Sequence, residues 1–477
     1  MLMFINGKTT PASDGATIDV TNPANGQLVD TVPAATEKDI VDAVAFAHAA
    51  QVVWAGVPVH QKVDILMKFV DLVKKNHESL AQTLCAETGK PIVEARAEIS
   101  NIPIAFSAFC ERAKHLYGQT IPAGMEAGQE HTLLVTRREP LGVIAAVIPF
   151  NFPCDLYDQK VAPALLAGNA VIVKPSTDNP LTLCRLTALL GEAGVTPGAA
   201  QIVTGRGSTV GNWLCQNPDV DAITLTGSTE VGIETARHAA DHLAHTALEL
   251  GGNDAFIVLE DADVDLAVNE LVWGRMYNTG QVCCASKRFL IHRSRVEEFT
   301  KKAVARISSL KQGDPADEST QIGCLISEKA AIKAEDQIKL TVKQGGRIIL
   351  GGHRDGAFLE PTVIADVPAT ADVAKDMEIF APVVPIITFD TVDEAVRIAN
   401  ASKFGLCGCV FTRDMATASD VARRLECGGA VINGASFFRS FEMPFGGYKY
   451  SGIGTEGVSS TFDEVTHTKT VVLKNLV

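Results

Sequence analysis

Five short apolar runs constrain this chain most. They are GVIAAVIP (142–149), AVIVKP (170–175), AQIVTG (200–205), AITLTG (222–227) and HTALELG (245–251), and segments of helical periodicity separate them. Strands spaced this way are too far apart for hairpin turns. They need helical crossovers, which build a parallel sheet clad in helices. A second alternation follows, with strands expected at DAFIVL (254–259), RFLIH (288–292), RIIL (347–350), VVPIITF (383–389), CGCVFT (407–412) and GAVING (429–434). Residues 37–117 read instead as helices, because EKDIVDAVAFAHAAQVVW and HQKVDILMKFVDLVKKNHESLAQTL repeat apolar residues at i, i+3, i+4 and i+7. The reading is an α/β protein with two successive α/β units.

Two segments fit neither unit. QTIPAGMEAGQEHTLLVTRREP (119–140) is polar and Gly-rich before it ends in a strand pattern, and EVTHTKTVVLKNL (464–476) alternates like a strand. Both read as edge or subunit-bridging strands, since an unpaired strand edge invites another chain. A length of 477 residues suits two or three domains. The expected division is 1–118 with 141–250, then 251–460, with 119–140 and 461–477 as bridging strands.

Charge and cysteine usage narrow the function. A net charge of −14 argues against nucleic acid or an anionic membrane as partner. No apolar run approaches the ~18 residues of a membrane helix, and no basic stretch followed by an apolar one opens the chain. The eleven cysteines form neither a disulfide ladder nor a CxxC pair, and Cys407–Cys409 has no nearby His or Cys companion, so no metal site is expected. These features describe a soluble, cytoplasmic protein in a reducing compartment.

Three positions stand out chemically. Cys283 lies in YNTGQVCCASKR, a polar loop just before a strand, where a buried structural cysteine would be out of place. Glu249 in LELGG and Asn151 in PFNFP each stand at a strand's carboxyl end beside Gly or Pro. A thiol, a carboxylate and an amide in such places suit a cleft at the carboxyl edge of a nucleotide-binding sheet. TGSTEVG (226–232) ends one strand and opens a helix, so Ser228 can cap that helix and Gly227 lets a phosphate approach its N-terminus. GRGSTVG (205–211) misses G-x-G-x-x-G by one residue and reads as an ordinary turn.

IPFNFP, VKPS, LTGSTEVG, LELGG, GQVC, EIFAP and PFGGYKYSG occur in that order along the whole chain. Together they make the chain resemble the NAD(P)-dependent aldehyde dehydrogenases, with short-chain succinate-semialdehyde and lactaldehyde enzymes as the suspected branch. The resemblance implies a Rossmann-like cofactor domain, a catalytic domain and a small β bridging element, assembled as a homodimer or homotetramer. It implies Cys283 as nucleophile, Asn151 as oxyanion donor and Glu249 as the base for water, with Lys160 and Glu456 supporting proton movement. NAD or NADP would be held by Ile148, Pro149, Phe150, Lys174, Ser176, Thr177, Gly207, Gly227, Ser228, Leu250, Glu378 and Phe380. Three positions depart from the family pattern. Asn253 replaces a usual Lys, Ala381 a usual Gly, and Thr177 the Glu common in NAD-preferring relatives. The last departure predicts use of both NADP and NAD.

The implied substrate funnel is lined by Phe152, Asp155, Leu156, Gln159, Tyr157 or Tyr277, Val282, Arg439 and Phe445. Arg439 points to a small anionic aldehyde such as succinic semialdehyde, because a guanidinium can grip a carboxylate with two parallel bonds. A pairing of Arg439 with Asp155 or Glu442 would leave a neutral mouth instead. Two other functions compete. A CoA-acylating enzyme is disfavoured by Glu249, and an idle structural or binding protein by the intact Asn151, Glu249 and Cys283. Cys284 is expected to pack rather than react.

Overall fold

The computed structural model describes residues 1–476; Val477, the last residue of the expected bridging segment 461–477, lies outside them. Three helices, Glu37–Ala55, Val59–Thr88 and Ile92–Ala113, open the fold after a set of short N-terminal strands. Thr36 caps the first helix through a reciprocal box with Asp39, and Pro58 and Pro91 stand immediately before the other two. The second and third bury Leu66, Phe69, Leu80, Leu84, Phe106 and Phe109 against each other and the helices Pro153–Ala167 and Leu181–Ala193, while the first packs on the first sheet.

That sheet has eight strands in the order Lys8–Thr10, Met3–Ile5, Ala200–Ile202, Ala170–Lys174, Val143–Val147, Ala222–Thr226, His245–Glu249, Gly452–Ile453. The five central strands are parallel. Val143–Val147 and Ala170–Lys174 lie between helical layers and are almost wholly buried, which explains their unbroken apolar character. From Val143–Val147 the chain steps outward twice to one side, then crosses back to Ala222–Thr226 on the other. This reversal opens a crevice at the carboxyl ends of the two strands, where open α/β sheets bind ligands.

A second, seven-stranded sheet follows in the order Arg347–Leu350, Thr362–Ala365, Val383–Phe389, Ser286–His292, Asp254–Val258, Cys407–Phe411, Gly429–Ile432. It is parallel except at its first pair. Every strand expected from the apolar runs is present. The sequence reading passed over Thr362–Ala365 and the N-terminal strands, which have three to six residues each and are too short to display a period. The two unassigned segments pair with each other: Thr466–Leu473 runs antiparallel to Leu133–Pro140, which carries Thr120–Ile121 on its far side. Among the described residues the outer edge of Thr466–Leu473 is unpaired, and it exposes Val471, Val472 and Leu473. The stretch 205–211 is not an ordinary turn. Gly207–Gly211 forms a wide helical turn that runs into the helix Asn212–Gln216. Among the described residues no single helix is long and apolar enough to cross a membrane.

Candidate active site

Cys283 sits between the tight turn Tyr277–Gly280 and the strand Ser286–His292. Asn278 and Thr279 both adopt positive φ (50° and 53°), a costly conformation for residues with side chains. Surrounding bonds hold it. Asn278 donates its backbone N–H to Glu94 (2.8 Å) and its amide to the Asn151 carbonyl (2.9 Å), while Gln281 accepts from the Ile326 N–H (2.9 Å). Gly280 must be glycine on two counts: its φ is +75°, and a Cβ there would lie 2.5 Å from the Ala381 carbonyl carbon. The loop that presents the thiol is therefore fixed on both sides.

Asn151 follows Val143–Val147, just before the helix Pro153–Ala167. Its backbone carbonyl accepts from Lys90 Nζ and Asn278 Nδ2, both at 2.9 Å, whereas its buried side-chain amide makes no hydrogen bond among the described residues. Glu249 ends its strand, and neither of its buried carboxylate oxygens has a partner. Burial drives its carboxyl well above the ordinary range, and the charges of Cys283 and Glu456 add to the shift. The Cys283 thiol is also raised, first by its bond with the Cys284 thiol and then by burial; Lys287 and Arg439 oppose both. Lys160 and Glu456 form a buried ion pair at 2.6 Å, and Lys160 also donates to Thr224 (3.1 Å).

Cys283 and Asn151 line one cavity of about 350 Å³. Of the expected funnel residues it includes Phe152, Asp155, Leu156, Gln159, Val282 and Arg439. Of the two candidate tyrosines it includes Tyr277; Tyr157 is fully buried elsewhere and bonds Thr187. Phe445 is not in this wall. It lies buried beneath Arg439, whose guanidinium stacks 3.6 Å above its ring. Arg439 forms no ion pair among the described residues: Asp155 bonds Asn101 (3.1 Å), and Glu442 accepts from Ser459. Burial, with the charge of Glu98, pushes the Asp155 carboxyl up to about 7. The sequence reading missed Trp273, Phe437, Glu98 and Asn101 of this wall. The tilted rings of Trp273 and Phe437 meet with centroids 4.9 Å apart, which brings two segments remote in sequence into contact.

The remaining residues flank the crevice. Ser228 caps Thr229–Ala240, accepting from the Val231 N–H, and a Cβ at Gly227 would meet only the Leu225 side chain, at 3.5 Å. Lys174 ends its strand, buried, with its Nζ on the Pro175 carbonyl (2.7 Å); burial pushes it down to about 8. Ile148 donates to the Lys174 carbonyl (3.0 Å) and Leu250 to that of Ser451 (2.9 Å), which fixes the backbone on both sides of the crevice. Phe150, beyond Pro149, meets Phe380 edge to face at 5.9 Å. Glu378 closes against Gly251, where a Cβ would lie 2.7 Å from its carboxylate. Asn253 donates to the carbonyls of Val373 and Lys375, a bracing contact. Thr177 donates its hydroxyl to the Gly205 carbonyl (3.1 Å), while the Ser176 hydroxyl accepts from the Asp178 N–H (3.3 Å). Arg206, passed over in the sequence as part of a turn, is exposed just before Gly207 and shares a recess of about 690 Å³ with Thr177 and Asp178. A capped helix N-terminus, an uncrowded glycine before it and the Lys174 cation at a strand end fit a dinucleotide laid along the crevice. A thiol, a free amide donor and an unpartnered carboxylate at one end of it can perform acyl chemistry through a covalent intermediate.

The sequence model of the aldehyde dehydrogenase family matches residues 10–471. The chain is 34% identical to a lactaldehyde dehydrogenase of Methanococcus vannielii, covering 99% of this chain and 100% of that one. It is 37% identical to an NADP(+) succinate-semialdehyde dehydrogenase of Escherichia coli, covering 95% and 94%. The NAD+ complex structure of an aldehyde dehydrogenase from Bacillus cereus superposes with a TM-score of 0.96 at 34% identity, covering 100% and 96%.

Proposed function

The chain belongs to the aldehyde dehydrogenase family, and from that premise we propose that it oxidises a small anionic aldehyde to its carboxylic acid through Cys283, with NAD or NADP as acceptor. The Cys283 thiolate attacks the carbonyl carbon and forms a C–S bond. The Asn151 amide holds the resulting oxyanion, a contribution of about 10²–10³ in rate for a preorganised donor. A nicotinamide held beside Glu378 and Phe380 would supply the hydride acceptor for this step. A thioester on Cys283 remains; Glu249 takes a proton from water, the water oxygen attacks, and the C–S bond breaks to release acid and thiolate. The Lys160–Glu456 pair supports the onward movement of that proton. Residues 1–118 and 141–250 hold the cofactor, residues 251–460 carry the nucleophile, and 119–140 with 461–477 join subunits of a homodimer or homotetramer.

One observation carries hydrolysis over transfer to CoA: the unpartnered, buried Glu249 carboxylate within electrostatic reach of the thiol. The anionic substrate is supported by Arg439, a guanidinium on the cavity wall with no carboxylate of its own. Asp155 and Glu98 on the same wall favour a second reading, a neutral hydroxy-aldehyde such as lactaldehyde. The test is a panel of succinic semialdehyde, lactaldehyde, butyraldehyde and benzaldehyde, ranked by kcat/KM with each cofactor, with and without CoA. The highest value for succinic semialdehyde without CoA is the expected result; an absolute need for CoA overturns the hydrolytic reading.

A further inference from the structure

Lys287, four residues beyond Cys283, is 1% exposed, and a buried ammonium ion needs partners to offset its lost hydration. It has three. Its Nζ donates to the backbone carbonyl of Cys283, pairs with Glu378 at 3.0 Å, and stands 5.7 Å over the ring of Phe380. The strand is built to aim it there. Asp254 pairs with Ser286 and Ala255 with Arg288, so the register skips Lys287 and turns its side chain out of the ladder.

We propose that Lys287 is a positioning residue that ties the cofactor-facing carboxylate Glu378 to the Cys283 backbone and supplies the counter-charge for the Cys283 thiolate. The proposal rests on the reading of Cys283 as nucleophile. The groups facing Lys287 are Glu378 and Asp254, and Asp254 is buried and pushed up to about 7. Those charged or titratable around the Cys283 thiol are Cys284, Glu249, Cys407, Lys287 and Arg439, and Lys287 is the strongest influence favouring the thiolate. Glu378 offsets part of that influence. Its removal therefore strengthens the counter-charge, whereas removal of Lys287 abolishes it.

This opposition of sign gives the test. Iodoacetamide alkylation of Cys283 is followed between about pH 6 and pH 10 in the full chain without cofactor, with the labelled site read by mass spectrometry. Lys287→Met should move the midpoint up by about one unit, which slows alkylation roughly tenfold at any pH below both midpoints. Glu378→Gln should move it down, and Lys287→Arg should restore it to near the wild-type value. With both cofactors, Lys287→Met should also raise KM for NAD(P) several-fold, because Glu378 loses its anchor. An unchanged midpoint in a folded Lys287→Met variant overturns the proposal. If that variant does not fold, an upward or absent shift in Glu378→Gln overturns it equally. Label found on Cys284 overturns the reading of Cys283 as nucleophile, and this proposal with it; label on Cys283 with no shift overturns this proposal alone.

Discussion

Replacing Arg439 with methionine separates a substrate anchor from a packing residue. The guanidinium stacks on Phe445 at 3.6 Å, and a methionine thioether keeps much of that contact with the ring while removing the charge. The side chain is half-buried and has no ion pair, so no carboxylate is orphaned by the change. A hydrogen bond to a charged group is worth about 1.5–3 kcal/mol. Partial exposure screens it, so the lower half of that range applies, an effect on the order of 10- to 40-fold. Asp155 on the same wall sharpens the contrast, since without Arg439 its carboxylate form repels an incoming carboxylate, whereas Glu98 is already paired with Lys90. The assay compares kcat/KM for succinic semialdehyde and butyraldehyde in wild type, Arg439→Met and Arg439→Lys. The loss should fall on the acidic substrate alone, mainly through KM. Lysine should recover only part of it, because it lacks the planar fork. An equal loss on both aldehydes would reduce Arg439 to a cap on Phe445 and remove the support for an anionic substrate.

Further outcomes follow from the same geometry. Cys283→Ala should abolish turnover while leaving NAD(P) binding by fluorescence titration within about twofold, since Lys174 and Ser228 stand at strand and helix ends away from the thiol; retained turnover would point to Cys284. Thr177→Glu should lower the NADP/NAD ratio of kcat/KM by about a hundredfold or more, because a carboxylate about 4 Å from a 2′-phosphate charge costs up to ~4 kcal/mol at an effective ε of ~20; an unchanged ratio would hand cofactor choice to other residues such as Arg206. The Glu249 carboxyl and the Cys283 thiol are both raised, and both react in their deprotonated forms, so kcat should climb with pH and decline on an acid limb well above 4.5, the ordinary carboxyl value. A profile flat down to that value would contradict the assigned roles.

The parts of the fold that were legible in the sequence are those written as periodic patterns. Val143–Val147 and Ala170–Lys174 are buried on both faces and read as uninterrupted apolar runs. Asn151 and Glu249 stood out because each stands at a strand's carboxyl end beside residues that break regular structure, and Cys283 because it lies in a polar loop just before a strand. What stayed hidden depends on partners distant in the chain. Lys287 looks like an ordinary basic residue until the skipped register aims it at Glu378, 91 residues on by the numbering. The bond from the Thr177 hydroxyl to the Gly205 carbonyl was hidden for the same reason, since nothing local shows it. Tyr157 and Tyr277 were indistinguishable by composition, and only the buried bond from Tyr157 to Thr187 separates them. Phe445 was placed in the funnel by the resemblance alone, and nothing local shows that its ring lies beneath the Arg439 guanidinium, packed with Val282 and Cys283.

The central claim is that an aldehyde becomes a thioester on Cys283 that Glu249 then helps hydrolyse, and Glu249→Gln tests it most directly. The substitution keeps the size of the side chain and removes the base. Mixing the variant with cofactor and succinic semialdehyde should give a burst of about one NAD(P)H per active site followed by a slow steady state. Acid-quenched protein should carry the acyl mass on the peptide containing Cys283. Slow turnover with no burst and no adduct on that peptide would contradict the account.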